Sequence, residues 1–154
     1  MIMKSYRISL VLFLTFLTGT AFAQQGEGGV KKTVNDLFKA MKTADTALLR
    51  SCFMPGAIMQ TVVRNKEGNT RVMNEPVDSF IAAIARPHKE VYDERITFDM
   101  IRIDGELATV WAPYKFYLGD QFSHCGVDAF QLALVNGSWK ILYLADTRRR
   151  QPCD

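Results

Sequence analysis

The sequence has few of the residues that build metal sites. It contains two histidines and three cysteines, Cys52, Cys125 and Cys153, whose spacing fits no zinc motif. It also lacks a P-loop, a G-x-G-x-x-G segment behind a strand, an H-E-x-x-H pair and a G-x-S-x-G turn. Phosphoryl transfer, nicotinamide-dependent chemistry, zinc proteolysis and serine hydrolysis therefore lack their usual parts, and we expect neither a metal nor a cofactor.

Clustered basic charge is also scarce. The formal net charge is +3, and the only basic run is Arg148–Arg150, which is typical of a solvated strand end. Binding to nucleic acid or to an anionic membrane requires a cluster of positive charge. We expect neither partner.

The N-terminus has the features of a secretory signal peptide. Lys4 and Arg7 precede the apolar run ISLVLFLTFL, and Ala21-Phe22-Ala23 forms an A-x-A cleavage pattern. The apolar run is short for a retained membrane anchor, which is the alternative interpretation. We expect residues 1–23 to be removed, which lowers the formal charge to +1, and the protein to be exported to the periplasm or secreted.

The remaining chain is long enough for one domain. We expect a flexible leader at residues 24–29, an organised domain at residues 30–150 and a short tail at residues 151–154. Apolar residues from Val30 to Met41 recur at helical spacing, and Asp45 can cap a second, shorter helix. Two short strands surround the turn NKEGN, and VDSFIAAIA predicts a third helix.

The last third of the chain predicts a four-strand antiparallel meander. Its strands are ERITFDMIRI, ELATVWAPYKFYL, QFSHCGVDAFQLALV and SWKILYLADTRR, separated by the turn dipeptides DG, GD and NG. Tight turns fix the strand register, so each side chain can be assigned to a face, although one β-bulge would exchange the faces beyond it. The assignment places these residues on one large aromatic face: Phe98, Trp111, Lys115, Tyr117, His124, Asp128, Phe130 and Tyr143. The opposite, more mixed face receives Tyr114, Cys125, Val127, Ala129, Gln131, Leu142, Leu144 and Asp146.

The order of these elements, together with the stretches FMPGAIM, VDSFIAAI and SHCGVDAFQL…GSWKILYLADTRR, resembles the nuclear transport factor 2-like superfamily. Within it, the chain is similar to a secreted bacterial branch labelled putative lumazine-binding and to SnoaL-like proteins. The resemblance covers roughly residues 30–150. It implies a cone-shaped α+β fold with three N-terminal helices packed on a curved, mainly antiparallel β-sheet that encloses an apolar cavity. It also implies a homodimer formed through the outer sheet face.

Asp128 is the candidate for chemistry, because a carboxyl group on an aromatic face is desolvated and can accept or donate a proton. A structural aspartate bonded to a backbone amide is the alternative. His124 is a second candidate proton carrier, although four residues along a strand separate it from Asp128 by about 13 Å. The expected ligand contacts are Phe98, Trp111, Lys115, Tyr117, Phe130 and Tyr143.

The odd number of cysteines allows one internal disulfide. Neighbours on a strand point to opposite faces, so Cys125 and His124 do not form a nucleophile pair. We favour a Cys125–Cys153 disulfide that ties the tail to the sheet, with Cys52 left as a buried thiol. A Cys52–Cys125 bond and three free thiols are the alternatives.

Two classes of function fit these features. The first is an exported small-molecule-binding domain whose aromatic cavity holds a heteroaromatic or hydrophobic ligand. The second is a cofactor-free lyase, isomerase or cyclase in which Asp128 moves a proton. A dimeric interaction module whose cavity is filled core is a weaker alternative.

Overall fold

The computed structural model describes residues 26–151 and 153. The expected signal peptide, residues 1–23, lies outside them. The described residues form three helices and seven strands in an α+β arrangement. The helices are α1 (Glu27–Thr43), α2 (Thr46–Ser51) and α3 (Val77–Ala85), and α3 follows the first two strands. The strands are β1 (Phe53–Arg64), β2 (Thr70–Pro76), β3 (Tyr92–Ile96), β4 (Met100–Asp104), β5 (Leu107–Leu118), β6 (Gln121–Val135) and β7 (Ser138–Thr147).

Helix α1 packs its apolar stripe on the sheet. Val30, Val34 and Leu37 lie on one face at helical spacing and are almost fully buried. The helix begins at Glu27, so the expected flexible leader is shorter than residues 24–29. At the start of α2, the Asp45 side chain accepts a hydrogen bond from the Leu48 amide at 2.9 Å, as the sequence predicted.

The seven strands form one sheet in the order β2-β1-β7-β6-β5-β3. Strand β4 also pairs with β5, at residues 107–111, whereas β3 pairs with residues 114–118. The β1–β7 pair is parallel and the other pairs are antiparallel. The predicted meander is therefore correct, but its first strand is split into β3 and β4, with a break at residues 97–99. Phe130, Leu132 and Ile141 form the centre of the core, where the sheet meets α1.

Two β-bulges overturn part of the face assignment. Tyr117 pairs with Phe122, but Phe116 pairs with His124, so Ser123 is an extra residue in β6. A second bulge leaves Leu142 as an extra residue in β7. Because side chains alternate along a strand, each extra residue exchanges the faces beyond it.

The bulges move Trp111 to the outer face of the sheet, where its side chain is 43% exposed. Asp128 pairs with Ala112, not with Trp111, and lies on the inner face. The prediction that Trp111 and Asp128 share a face was therefore wrong. Tyr114, Leu144 and Asp146, which the sequence placed outside, lie on the inner face with Asp128.

Candidate functional site

The inner face and the helices surround a cavity of about 70 Å³ with an apolar wall and a polar end. The apolar wall consists of Leu37, Phe38 and Met41 of α1, Met59 of β1, Phe80 of α3 and Leu144 of β7. The polar end consists of Glu94, Tyr114, His124, Asp128, Asp146 and Arg148. Four strands of the meander contribute to this end, because their inner-face positions meet there.

Asp128 is the most deeply buried polar group of the cavity, with 3% of its surface exposed. Its Oδ2 atom meets no N–H or O–H donor among the described residues. The neighbouring carboxyl group of Glu94 is its hydrogen-bonding partner. Burial raises the pKa of Asp128 well above its usual range, and the negative charge of Glu94 and the hydrogen bond between the two groups raise it further.

Glu94 completes a carboxyl pair that the sequence did not reveal. Burial raises the pKa of Glu94 to about 7, and the charge of Asp146 adds to the rise, while the hydrogen bond with Asp128 opposes it. Two neighbouring buried carboxyl groups share a proton, because the charge of one strongly disfavours ionisation of the other. The pair therefore holds at least one proton near neutral pH.

A second cluster of polar side chains surrounds Asp146. Thr61 donates its hydroxyl hydrogen to Asp146 at 2.5 Å, and Arg148 Nε donates to the other carboxylate oxygen at 2.7 Å. The Tyr114 hydroxyl donates to the Thr147 carbonyl at 2.9 Å. Burial raises the pKa of Tyr114, so it remains a neutral phenol. Asp146 therefore accepts close hydrogen bonds from Thr61 and Arg148, whereas Asp128 Oδ2 accepts none from the described residues.

His124 lies at the cavity, as a neutral imidazole. Its ring packs against Phe116 with centroids 4.9 Å apart and against Tyr114 at 5.7 Å. Its Nδ1 atom lies 3.1 Å from the Ser123 hydroxyl. Burial lowers the pKa of His124, and the positive charge of Arg148 lowers it further.

The structure brings together only part of the residue set that we expected from the sequence. Asp128 and His124 line the cavity. The six expected ligand contacts do not line it: Phe98, Trp111, Lys115, Tyr117, Phe130 and Tyr143. Phe98 and Phe130 pack in or against the core. Tyr143 lies on the outer face, where its hydroxyl donates to Gln60 at 2.6 Å, and Lys115 is exposed.

The two bulges explain why the sequence did not reveal Tyr114, Leu144 and Asp146 as cavity residues. Once Ser123 and Leu142 are counted as extra residues, strand alternation places Tyr114, Leu144 and Asp146 beside Asp128. Glu94 joins them through the pairing of β3 with β5, where it lies opposite Phe116.

A disulfide joins Cys125 to Cys153, the pairing that the sequence favoured. Cys52 is a buried free thiol, and burial raises its pKa to about 11. Within residues 26–151 and 153, no group of three or more histidine, cysteine, aspartate or glutamate residues is arranged to hold a metal ion. None of the helices in that part of the chain is long and apolar enough to cross a membrane.

Residues 25–144 match the family described as putative lumazine-binding, and the chain belongs to this family. Its fold is that of the nuclear transport factor 2-like superfamily. A nuclear transport factor 2-like protein of unknown function from Shewanella baltica OS155 superposes with a TM-score of 0.61 and 16% identity, over 80% of this chain and 93% of that chain. A second such protein, from Silicibacter pomeroyi DSS-3, superposes with a TM-score of 0.60 and 20% identity, over 79% of this chain and 93% of that chain.

A third structure with the same fold is the β subunit of a putative aromatic-ring-hydroxylating dioxygenase from Novosphingobium aromaticivorans DSM 12444. It superposes with a TM-score of 0.67 and 12% identity, over 86% of this chain and 94% of that chain. No curated protein sequence is significantly similar to this chain. At these identities the structural likeness establishes the fold alone.

Proposed function

We propose that this protein binds a small uncharged molecule whose polar edge meets the Asp128–Glu94 pair. The observation that carries the proposal is the buried Asp128 carboxyl group, whose Oδ2 atom meets no N–H or O–H donor among the described residues. A buried polar group without a full set of partners costs free energy, so such groups are usually satisfied by a ligand, a water or a neighbour. Here the group lies at the end of an apolar cavity.

The chemistry of the pair indicates the kind of ligand. A shared proton that lies between the two carboxyl groups leaves their other oxygens as acceptors for an N–H donor, and a second proton on the pair supplies an O–H donor. The complementary ligand edge carries an N–H group next to a carbonyl, as many heteroaromatic rings do. Phe38 and Phe80 in the apolar wall suit the remainder of such a ring. The family description, putative lumazine-binding, is consistent with this class of ligand.

The size of the cavity requires a larger ligand to extend beyond it. The cavity of about 70 Å³ is smaller than the roughly 300–1,000 Å³ of drug-sized ligand sites. A cleft of about 420 Å³ lies next to it, and Arg148 lines both spaces. We propose that the polar edge of the ligand enters the cavity and that the rest passes Arg148 into the cleft.

Lumazine is the probe that tests this proposal. We expect the fluorescence of lumazine to change on titration with the protein. Asp128→Asn should weaken binding about 10- to 100-fold, because the variant loses a buried hydrogen bond to the ligand. Asp99→Asn, an exposed carboxyl group away from the cavity, is the matched control and should leave the affinity unchanged. Absence of binding, or equal affinity in the Asp128 variant, would contradict the proposal.

Proton-transfer catalysis is the second candidate, and Glu94 is the observation that favours it. A general acid or base works best when its pKa lies near the working pH, and burial brings the pKa of Glu94 to about 7. Asp128 and Glu94 would then move a proton in a cofactor-free lyase, isomerase or cyclase. Incubation of candidate carbon acids with the protein in deuterated buffer distinguishes the two functions. A carrier leaves the carbon acids without deuterium, whereas a catalyst introduces deuterium and loses this activity when Asp128 or Glu94 is replaced.

We also propose that the protein acts outside the cytoplasm as a homodimer. The Cys125–Cys153 disulfide supports export, because such bonds persist in oxidising compartments. Exposed Trp111 and Ile58 on the outer sheet face support assembly, because a monomer seldom leaves a large apolar patch in water. Sequencing of the mature protein tests export, with Gln24 expected as the first residue and a retained Met1 as the contrary result.

A further inference from the structure

The end of β7 lies unusually close to β6 at Gly126. A Cβ atom added at Gly126 would lie 1.7 Å from the Thr147 carbonyl oxygen and 2.8 Å from the Tyr114 ring. Both distances are far shorter than van der Waals contact, and the first involves backbone, which cannot swing aside. Position 126 therefore requires glycine, because the two strands touch there.

This contact positions the polar end of the cavity. The Thr147 carbonyl that approaches Gly126 is the acceptor for the Tyr114 hydroxyl at 2.9 Å. The two neighbours of Thr147 in the chain, Asp146 and Arg148, both line the cavity. Three polar groups of the cavity therefore depend on where the end of β7 lies.

The disulfide holds the chain immediately beyond this point. After β7 ends, Cys125 and Arg149 exchange two backbone hydrogen bonds, each of 2.9 Å. Cys125 then bonds covalently to Cys153, with the two Cα atoms 6.0 Å apart. The tail is thus fixed to β6 at the residue next to Gly126.

We propose that the Cys125–Cys153 disulfide is a positioning element for the cavity, and that its reduction by a dithiol weakens ligand binding. The inference rests on the proposed binding function of the same cavity. In the reaction two protons and two electrons pass from the dithiol to the protein, the sulfur–sulfur bond becomes two thiols, and the dithiol becomes a cyclic disulfide. The bond has no place in the binding chemistry itself and acts through Arg148 and Asp146.

The consequence follows from the position of Arg148. Its Nε atom donates to Asp146, and Arg148 lines both the cavity and the adjacent cleft. Once the tail is released, the backbone on the C-terminal side of Arg148 loses its covalent anchor. The guanidinium group then leaves the cavity for part of the time, and the ligand loses a wall and a donor.

The test compares the oxidised protein, the protein reduced with dithiothreitol, and Cys153→Ser. Cys52→Ala is the control, because Cys52 is a free thiol away from the cavity. We expect reduction and Cys153→Ser to weaken lumazine binding by the same factor, about tenfold, close to the loss of one charge-assisted hydrogen bond. The control variant should bind like the wild type and respond equally to dithiothreitol.

A second measurement decides the question even when lumazine does not bind. Carbon-13 NMR of the Asp128 and Glu94 carboxyl groups follows their titration directly. The positive charge of Arg148 lowers the pKa of both carboxyl groups, so its departure should move their titration to higher pH in the reduced protein and in Cys153→Ser but not in Cys52→Ala. An unchanged titration with a native amide spectrum overturns the proposal. Loss of the native amide spectrum in both also overturns it, because the bond would then hold the fold and not the site.

Discussion

Replacing Glu94 by glutamine should remove a large part of the pH dependence of stability near neutrality. In the folded protein the pKa of Glu94 is about 7, against 4.5 for the unperturbed group. The folded state therefore keeps a proton that the unfolded state releases between these values. Stability from this group is fully present below about pH 4.5 and is lost as the pH rises to about 7.

The magnitude follows from the size of the shift. Each pKa unit corresponds to about 1.4 kcal/mol, so a rise from 4.5 to about 7 corresponds to about 3 kcal/mol for Glu94. Asp128 adds to the loss, because its pKa is also raised. His124 acts in the opposite direction below about pH 6.5, because its folded pKa is lowered, but this contribution is present in wild type and variant and cancels in their difference.

Urea unfolding at a series of pH values between about 4.5 and 7.5 measures the effect. We expect the free energy of unfolding of the wild type to fall by about 3 kcal/mol more than that of Glu94→Gln across this range. Glu106→Gln, an exposed carboxyl group in a turn, is the control and should follow the wild type. Parallel curves for wild type and Glu94→Gln would refute the shared-proton account of the pair.

Three further predictions concern the rest of the molecule. Phe130 is fully buried at the centre of the core, so Phe130→Ala should lower the free energy of unfolding by about 3–5 kcal/mol in urea titrations; a loss below about 1 kcal/mol would show that its site collapses or is not core. Cys52 is 3% exposed and its pKa is raised to about 11, so an aromatic disulfide reagent should leave it unmodified in the native protein at pH 8 and modify it in urea. Trp111 is 43% exposed on the outer face, so Trp111→Lys should convert the proposed homodimer to monomer in light scattering, and a wild type that is already monomeric would end that proposal.

The secondary structure was predictable because local signals agree with the fold. The helix at Val77–Ala85 and the strand at Gln121–Val135 have the predicted bounds. Both are long periodic segments, and turn residues flank the strand. The start of α1 was missed because Gly26-Glu27-Gly28-Gly29 has weak helical propensity, which packing of Gly29 and Val30 in the core overrides.

The candidate site was only partly predictable, because it depends on two single-residue bulges. Nothing in the local sequence marks Ser123 or Leu142 as an extra residue, since both are ordinary strand residues. The prediction that Asp128 lies on the inner face was correct, because it depended on alternation within β6 beyond the bulge and not on pairing with β5. Trp111 was misplaced because its assignment crossed the bulge at Ser123. Glu94 was missed because β5 lies between its strand and that of Asp128, and no local sequence signal links the two residues.

The most direct test of the central claim is a crystal structure of the protein grown with lumazine. We expect the N–H and carbonyl edge of the ring within hydrogen-bonding distance of Asp128 and Glu94, with the rest of the molecule beside Phe38 or Arg148. A ring bound elsewhere, or a cavity in which these carboxyl groups contact only protein and water, would contradict it.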